Sequence, residues 1–260
     1  MSPLRVVTLA SLIAVSFATQ SAIADHHEES KQYIELRYYH LKSQDAAKEA
    51  DAYLSNALVP ALNRAGVKQV GLFKEQEEKE QPLRLLVIAH DKISDFATLN
   101  KRLGKDQKYQ EDAASYMGHM KKTTPLARIR SELLYSFDCW PKLKRPALSE
   151  DDGRIFELRI YESSTEKYGD LKVEMFNSGE VPIFLDCGVL PVFMGQAVAG
   201  DKMPNLTYMT AYEDAEAKGK AWKNFVVHPD WKVLSKVEKY KGTVSKIHKI
   251  DLVPMAASQL

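Results

Sequence analysis

An α+β fold is predicted: two tandem ferredoxin-like units, each β-α-β-β-α-β, with their antiparallel sheets packed together as a barrel-like pseudo-dimer. Three observations carry this. First, the chain contains itself twice. Tyr33-Ile34-Glu35-Leu36-Arg37-Tyr38-Tyr39 returns as Ile155-Phe156-Glu157-Leu158-Arg159-Ile160-Tyr161, at an offset of 122 (157 less 35). The offset persists without a gap, carrying Val59-Pro60 onto Val181-Pro182, Gly66-Val67 onto Gly188-Val189, Ala89 onto Ala211 and Tyr109 onto Trp231. A register held that long marks a duplicated structural unit. Second, strand and helix periodicities follow one another in the same β-α-β-β-α-β order in both copies. Third, such a unit leaves one sheet face bare, and two bare faces in one chain can cover each other.

Each element has a local reason. Ile34 to His40 alternates and is rich in β-formers, so it is a strand. From Asp45 to Ala65 apolar residues recur at helical spacing, and Gly66 stands where a glycine commonly ends a helix. Gln69 to Phe73 and Leu83 to Ala89 are the middle strands, joined by a charged hairpin tip from Glu75 to Glu80. Ser94 is expected to cap a second helix that breaks near Gly104 and resumes from Tyr109 to Met117. Ala127 to Tyr135 is the last strand of the unit.

The second unit repeats the order. Ser163 and Glu166 fit a capping box at its first helix. Leu190 to Ala197 and Leu206 to Tyr212 are its middle strands. Asp214 caps the helix that carries Trp222 and Phe225, and His228-Pro229 breaks it before Trp231 because proline cannot continue a helix. Val244 to Val253 closes the unit. The units therefore span 33–137 and 154–253, with a proline-bearing acidic linker at 138–153 and a tail at 254–260.

Side chains alternate along a strand, so each first strand has two faces. Ile34, Leu36 and Tyr38, like Phe156, Leu158 and Ile160, are expected to meet the helices. Glu35, Arg37 and Tyr39, like Glu157, Arg159 and Tyr161, are expected to face the other sheet or the cleft between the sheets.

Composition narrows the function. Of 260 residues 27% are charged, with both signs mixed and a net charge of +1, so no basic stripe points to nucleic acid. Arg5, the apolar run Val6 to Phe17 and Ala22-Ile23-Ala24 read as a secretory signal peptide over residues 1–24. The expected mature chain is exported, periplasmic or secreted, with a polar leader over 25–32 and no integral membrane segment. Cys139 and Cys187 are either two free thiols or, in an oxidising compartment, a bridge pinning the linker. No P-loop, nucleophile elbow, dinucleotide fingerprint or zinc helix is present.

Phe156-Glu157-Leu158-Arg159-Ile160-Tyr161, the turn Cys187-Gly188-Val189, the strand Leu206 to Tyr212 and the late run Ala221-Trp222, Phe225, Pro229-Asp230-Trp231 together resemble the NIPSNAP family. The second unit fits nearly throughout, apart from His228, where the family usually has an acidic residue. The first is a weaker copy, with Asn100 at the Trp222 position and Gln107 at the Pro229 position. The resemblance implies a dimeric α+β barrel and brings no shared catalytic residues.

The candidate ligand-binding residues are the repeated face: Glu35, Arg37, Tyr39, Glu157, Arg159 and Tyr161. An arginine fork matches a carboxylate bidentately, so a small anion is the expected ligand; the competing reading is that each Arg closes on its Glu. Trp222, Phe225 and Trp231 read as core aromatics of the family motif. His90, His119, His228 and His248 are scattered, and no cofactor is expected, haem being the alternative. If the chain starts at Asp25, its free amine, two amides and His27 in Asp25-His26-His27 make a nitrogen set suited to Cu(II) or Ni(II). The function expected is a non-catalytic small-ligand-binding or protein-interaction module. The alternatives are a cofactor-independent monooxygenase-like or haem-binding enzyme and a structural protein with a filled barrel. Further oligomerisation is compatible with all three. Any site is expected in the second unit or at the seam.

Overall fold

A computed structural model describes residues 30–149 and 153–260. The expected signal peptide and Asp25-His26-His27 lie outside the described residues.

The first half runs β1 (Tyr33–Leu41), α1 (Gln44–Tyr53), a π turn (Leu54–Leu58), α2 (Val59–Arg64), β2 (Val70–Glu75), β3 (Leu83–His90), α3 (Ile93–Leu103), α4 (Gln107–Asp112), α5 (Ala114–Met117) and β4 (Leu126–Ser136). The second runs β5 (Ile155–Glu162), α6 (Glu166–Met175), a π turn (Phe176–Glu180), α7 (Val181–Asp186), β6 (Leu190–Ala199), β7 (Asn205–Tyr212), α8 (Ala215–Val227), α9 (Pro229–Leu234) and β8 (Lys246–Pro254). Both halves thus interrupt their first helix with a π turn at the same station.

The eight strands close an antiparallel barrel in the order β1-β3-β2-β8-β5-β7-β6-β4. Read around the barrel, each half contributes the same sequence of strands: β4-β1-β3-β2, then β8-β5-β7-β6. Two short seams join the halves. One pairs Phe73, Lys74 and Glu75 with Pro254, Val253 and Leu252. The other pairs Leu133 to Ser136 with Ala199 to Gly195 across a bulge.

The barrel interior is mainly apolar, with one buried carboxylate, Glu132, accepting from the Tyr38 hydroxyl at 3.2 Å. Ile34, Leu36 and Tyr38 meet Phe156, Leu158 and Met209 there, and Leu143 of the linker and Leu260 of the tail join the same cluster. This reverses the expected orientation of the first strands. The apolar face points into the barrel, and the Glu-x-Arg-x-Tyr face lies under the helices, Tyr39 and Tyr161 packing into the two helix-side clusters. The cause is solvation. A sealed barrel offers a charge no water and few partners, whereas the helix layer brings donors to it.

Local signals mostly hold. Gly66 and Gly188 follow their helices with φ of +93° and +83°, the left-handed conformation that glycine adopts without a Cβ clash. Asp214 caps α8, its carboxylate accepting from the Ala217 N–H at 2.7 Å. Two caps move. Ser94 sits inside the first turn of α3, where the Asp95 carboxylate accepts from the Lys92 N–H. Thr165, not Ser163, caps α6; the Ser163 hydroxyl instead donates to the Thr243 carbonyl at 2.7 Å. The tail is built in: Met255 and Gln259 donate their N–H groups to the Leu72 and Val70 carbonyls, so it runs along β2. Both cysteines are free thiols.

Candidate functional site

In the second half β5 presents Glu157, Arg159 and Tyr161 to the helices. Arg159 closes on Glu157, with Nε 2.8 Å from Oε2, and donates from Nη1 to the Tyr161 hydroxyl at 3.1 Å. Trp222 of α8 covers the pair. Its ring lies 3.5 Å from the guanidinium carbon, and its Nε1–H donates to Glu157 Oε2 at 3.0 Å. Tyr208 of β7 donates to the Tyr161 hydroxyl at 2.8 Å. Burial raises the pKa of both phenols, only partly opposed at Tyr161 by the Arg159 charge. Phe225 and Trp231 continue the aromatic stack, 4.4 Å between centroids, and belong to the packed core of this half.

A second buried ion pair adjoins it. Lys172 of α6 donates to Glu180 at 2.7 Å, and both side chains are buried. Burial pushes the Glu180 carboxyl above its ordinary value although Lys172 pulls it down. Neither residue stands out in the sequence by itself. The repeat held the signal: at the same offset Ala50 and Leu58 occupy these stations, so two charges replace two apolar residues on one buried helix face.

In the first half Glu35 is 1% exposed. Its Oε1 accepts from Arg37 Nε at 2.8 Å and from the Ser131 hydroxyl at 3.2 Å, while Oε2 lies 3.1 Å from His90 Nε2. Burial acts to raise this carboxyl, but the His90 hydrogen bond and the Arg37 charge outweigh it and hold the pKa below its ordinary value. Burial raises Tyr39 against the opposing Arg37 charge. The repeated face is therefore two separate buried clusters, one under each helix layer, and neither lines a cleft between the halves.

Open space lies elsewhere. A pocket of about 550 Å³ opens beside His90, walled by the α2–β2 turn, the end of β3, α3 and the linker. Lys68, Arg102 and Lys142 line it together with Asp91 and Asp95. Arg102 is held by backbone alone: Nη2 donates to the Asp95 carbonyl at 2.8 Å, Nη1 donates to the Ala65 carbonyl, and the buried Nε has no partner. No carboxylate pairs with Arg102 among the described residues. At the matching station of the second half Tyr212 replaces His90. This pocket belongs to the first half, whereas the sequence led to a site in the second or at the seam.

The other three histidines singled out in the sequence, His119, His228 and His248, are engaged. His119 contacts Glu49, His248 contacts Glu162, and His228 Nδ1 accepts from the Asp230 N–H at 3.2 Å. Among the described residues no group of three His, Cys, Asp or Glu side chains is arranged for a metal ion.

The sequence profile of the NIPSNAP family matches residues 156–259. A protein provisionally named as a monooxygenase from Fusobacterium nucleatum superposes with a TM-score of 0.58 at 12% identity, covering 87% of this chain and 93% of its own. Another with the same provisional name, from Lactobacillus acidophilus, gives 0.54 at 9%, covering 86% and 94%. An uncharacterised NIPSNAP-like domain protein from Burkholderia xenovorans gives 0.38 at 16%, covering 41% of this chain and 89% of its own. At these identities the first two share the fold alone. A comparison with curated proteins finds no match.

Proposed function

We infer, for a chain whose residues 156–259 are a NIPSNAP domain, that the protein is a small-ligand-binding module and that its site is the pocket beside His90. The observation that carries this is the guanidinium of Arg102, which has no carboxylate partner among the described residues, in a cavity of about 550 Å³ that Lys68 and Lys142 also line. That volume is within the usual range for small-molecule sites. The lining charge favours an anion, and Nη1 and Nη2 of Arg102 each keep a second N–H beyond the one given to a backbone carbonyl. The barrel interior and both Glu–Arg pairs are closed on themselves and act as scaffold. The matching strand orders of the two halves support reading them as one ferredoxin-like unit duplicated into a pseudo-dimer. The apolar leader and Ala22-Ile23-Ala24 support export, which sequencing the amino terminus of the mature chain tests. The monooxygenase alternative has only a shared fold behind it, a weak basis for an activity.

Calorimetric titration with a panel of small mono- and dicarboxylates tests the site. Arg102→Met is expected to weaken binding by about tenfold or more, the worth of one charge-assisted hydrogen bond. Arg159→Ala is expected to lower stability and leave binding intact. Equal affinity in wild type and Arg102→Met, or no binding at all, overturns the reading.

A further inference from the structure

We propose that His90, oriented by Glu35, is a catalytic base in this pocket and removes a proton from a carbon beside a carbonyl in a small carboxylate of the 2-oxo acid kind. This rests on the binding reading above and adds a reaction to it.

The geometry begins with the dyad. Glu35 Oε2 lies 3.1 Å from His90 Nε2, and the other carboxylate oxygen is taken up by Arg37 and Ser131. An ionised carboxylate only accepts, so Nε2 carries the ring proton and Nδ1 of the neutral imidazole keeps its lone pair. Nδ1 has no hydrogen-bond partner among the described residues and is not among the sealed, unsatisfied atoms, while His90 lines the pocket. The ring is fixed edge-on against Phe96, with centroids 5.7 Å apart. The side chain is 1% exposed, so a carboxylate holds one nitrogen and the other is unpartnered at the cavity wall, the arrangement a general base needs. A purely structural His–Glu pair gains nothing from that unpartnered nitrogen. In the second half Tyr212 stands at this station and its hydroxyl lies 3.0 Å from the Thr210 hydroxyl, so no base is offered there.

The step balances without an oxidant. The substrate carboxylate is held by the pocket cations. Nδ1 takes the proton, the C–H pair becomes the carbon–carbon double bond of an enolate, and the carbonyl π pair moves onto oxygen, where Lys68, Arg102 and Lys142 offset its charge. Glu35 stabilises the imidazolium, which exchanges its proton with solvent and returns one to the same carbon, restoring the carbonyl. The charged groups around the ring are Glu35 and Arg37 from β1, Asp91 after β3, Asp95 and Arg102 from α3, Lys68 from the turn and Lys142 from the linker.

The test is proton–deuteron exchange at C3 of 2-oxobutyrate and 2-oxoglutarate, followed by NMR in D2O with the full chain, with calorimetric binding run in parallel. Wild type is expected to exceed the buffer rate by about 100-fold or more. His90→Gln is expected to lose that excess while binding stays within about threefold, and imidazole is expected to restore exchange in His90→Gly. Glu35→Gln, if folded, is expected to move the rising limb of the pH–rate profile to lower pH, because the imidazolium loses its counter-charge. Binding without exchange in wild type, or exchange unchanged in His90→Gln, overturns this proposal and leaves the binding reading standing. Absence of binding removes both.

Discussion

Replacing Lys172 by methionine is expected to destabilise the fold by about 3–5 kcal/mol near neutral pH, because it strands a buried carboxylate. The ammonium lies 2.7 Å from Glu180 Oε2, with the two side chains only 5% and 3% exposed. At an effective dielectric constant of about 20 their attraction is about 6 kcal/mol, against a desolvation cost of several kcal/mol per ion. The pair is therefore worth little in net terms, yet each member depends on the other. The first half supplies the control, since Ala50 and Leu58 fill the same stations with no charge. Lys172→Met with Glu180→Leu is expected to return to within about 1 kcal/mol of wild type or above it. At about 2–4 °C per kcal/mol for a chain of this size, the single variant loses roughly 6–20 °C in Tm. The pH dependence has a definite sign. Glu180 has a folded pKa raised above its ordinary 4.5. Its contribution to stability is full below that value and is lost as pH rises through the folded value. Removing Lys172 raises the folded value further, so the deficit of Lys172→Met is larger near pH 8 than near pH 4.5. Urea melts of wild type, both singles and the double at the two pH values give the cycle. A single variant as stable as wild type, or a double no better than its worse single, refutes the reasoning.

Two further outcomes follow from close contacts. A Cβ on Gly195 would sit 2.8 Å from the Leu134 Cβ and 3.1 Å from the Tyr135 carbonyl, at the seam where β4 meets β6. Gly195→Ala is expected to cost about 1–3 kcal/mol, read from urea melts, and no loss means that the seam is not closed as described. Trp222→Phe keeps a ring over Arg159 but removes the 3.0 Å donor to Glu157. About 1–1.5 kcal/mol is expected, the lower part of the range for a bond to a charged group, because Arg159 and Lys218 still face that carboxylate. A melt that superposes on wild type refutes the contact.

The repeat made the order of elements legible, because strand and helix periods are local and the two copies corroborate each other. It misled about the faces. Alternation separates Ile34, Leu36 and Tyr38 from Glu35, Arg37 and Tyr39, but it does not say which side is sealed; that depends on whether the sheets close, a property of all eight strands together. Closure makes the interior the driest place in the molecule and sends the charges outward to the helices. The caps at Ser94 and Ser163 failed for a nearer reason: Asp95 and Thr165, one and two residues on, satisfy the free amides instead. The candidate site was half legible. Glu35 was singled out as one of a repeated set, but its partner His90 is 55 residues away in sequence, and only the antiparallel pairing of β1 with β3 brings them together. Arg102 carried no signal, since an arginine on an exposed helix is ordinary until its neighbours are known.

The halves differ at a few aligned stations. In the second half Trp222 lies over Arg159, Lys172 and Glu180 fill the space beneath the π turn, and Phe184 packs among Trp222, Phe225 and Tyr208. Every change adds bulk or a locked charge. In the first half Asn100, Ala50 and Leu58 are smaller or uncharged, and His90 keeps one nitrogen free. The halves share their core. Ile34, Leu36 and Tyr38 are dry only under Phe156, Leu158 and Met209, and the seams between the halves are short. The aligned differences named above lie on the helix sides of the sheets, so they leave unchanged the interior that both halves build together.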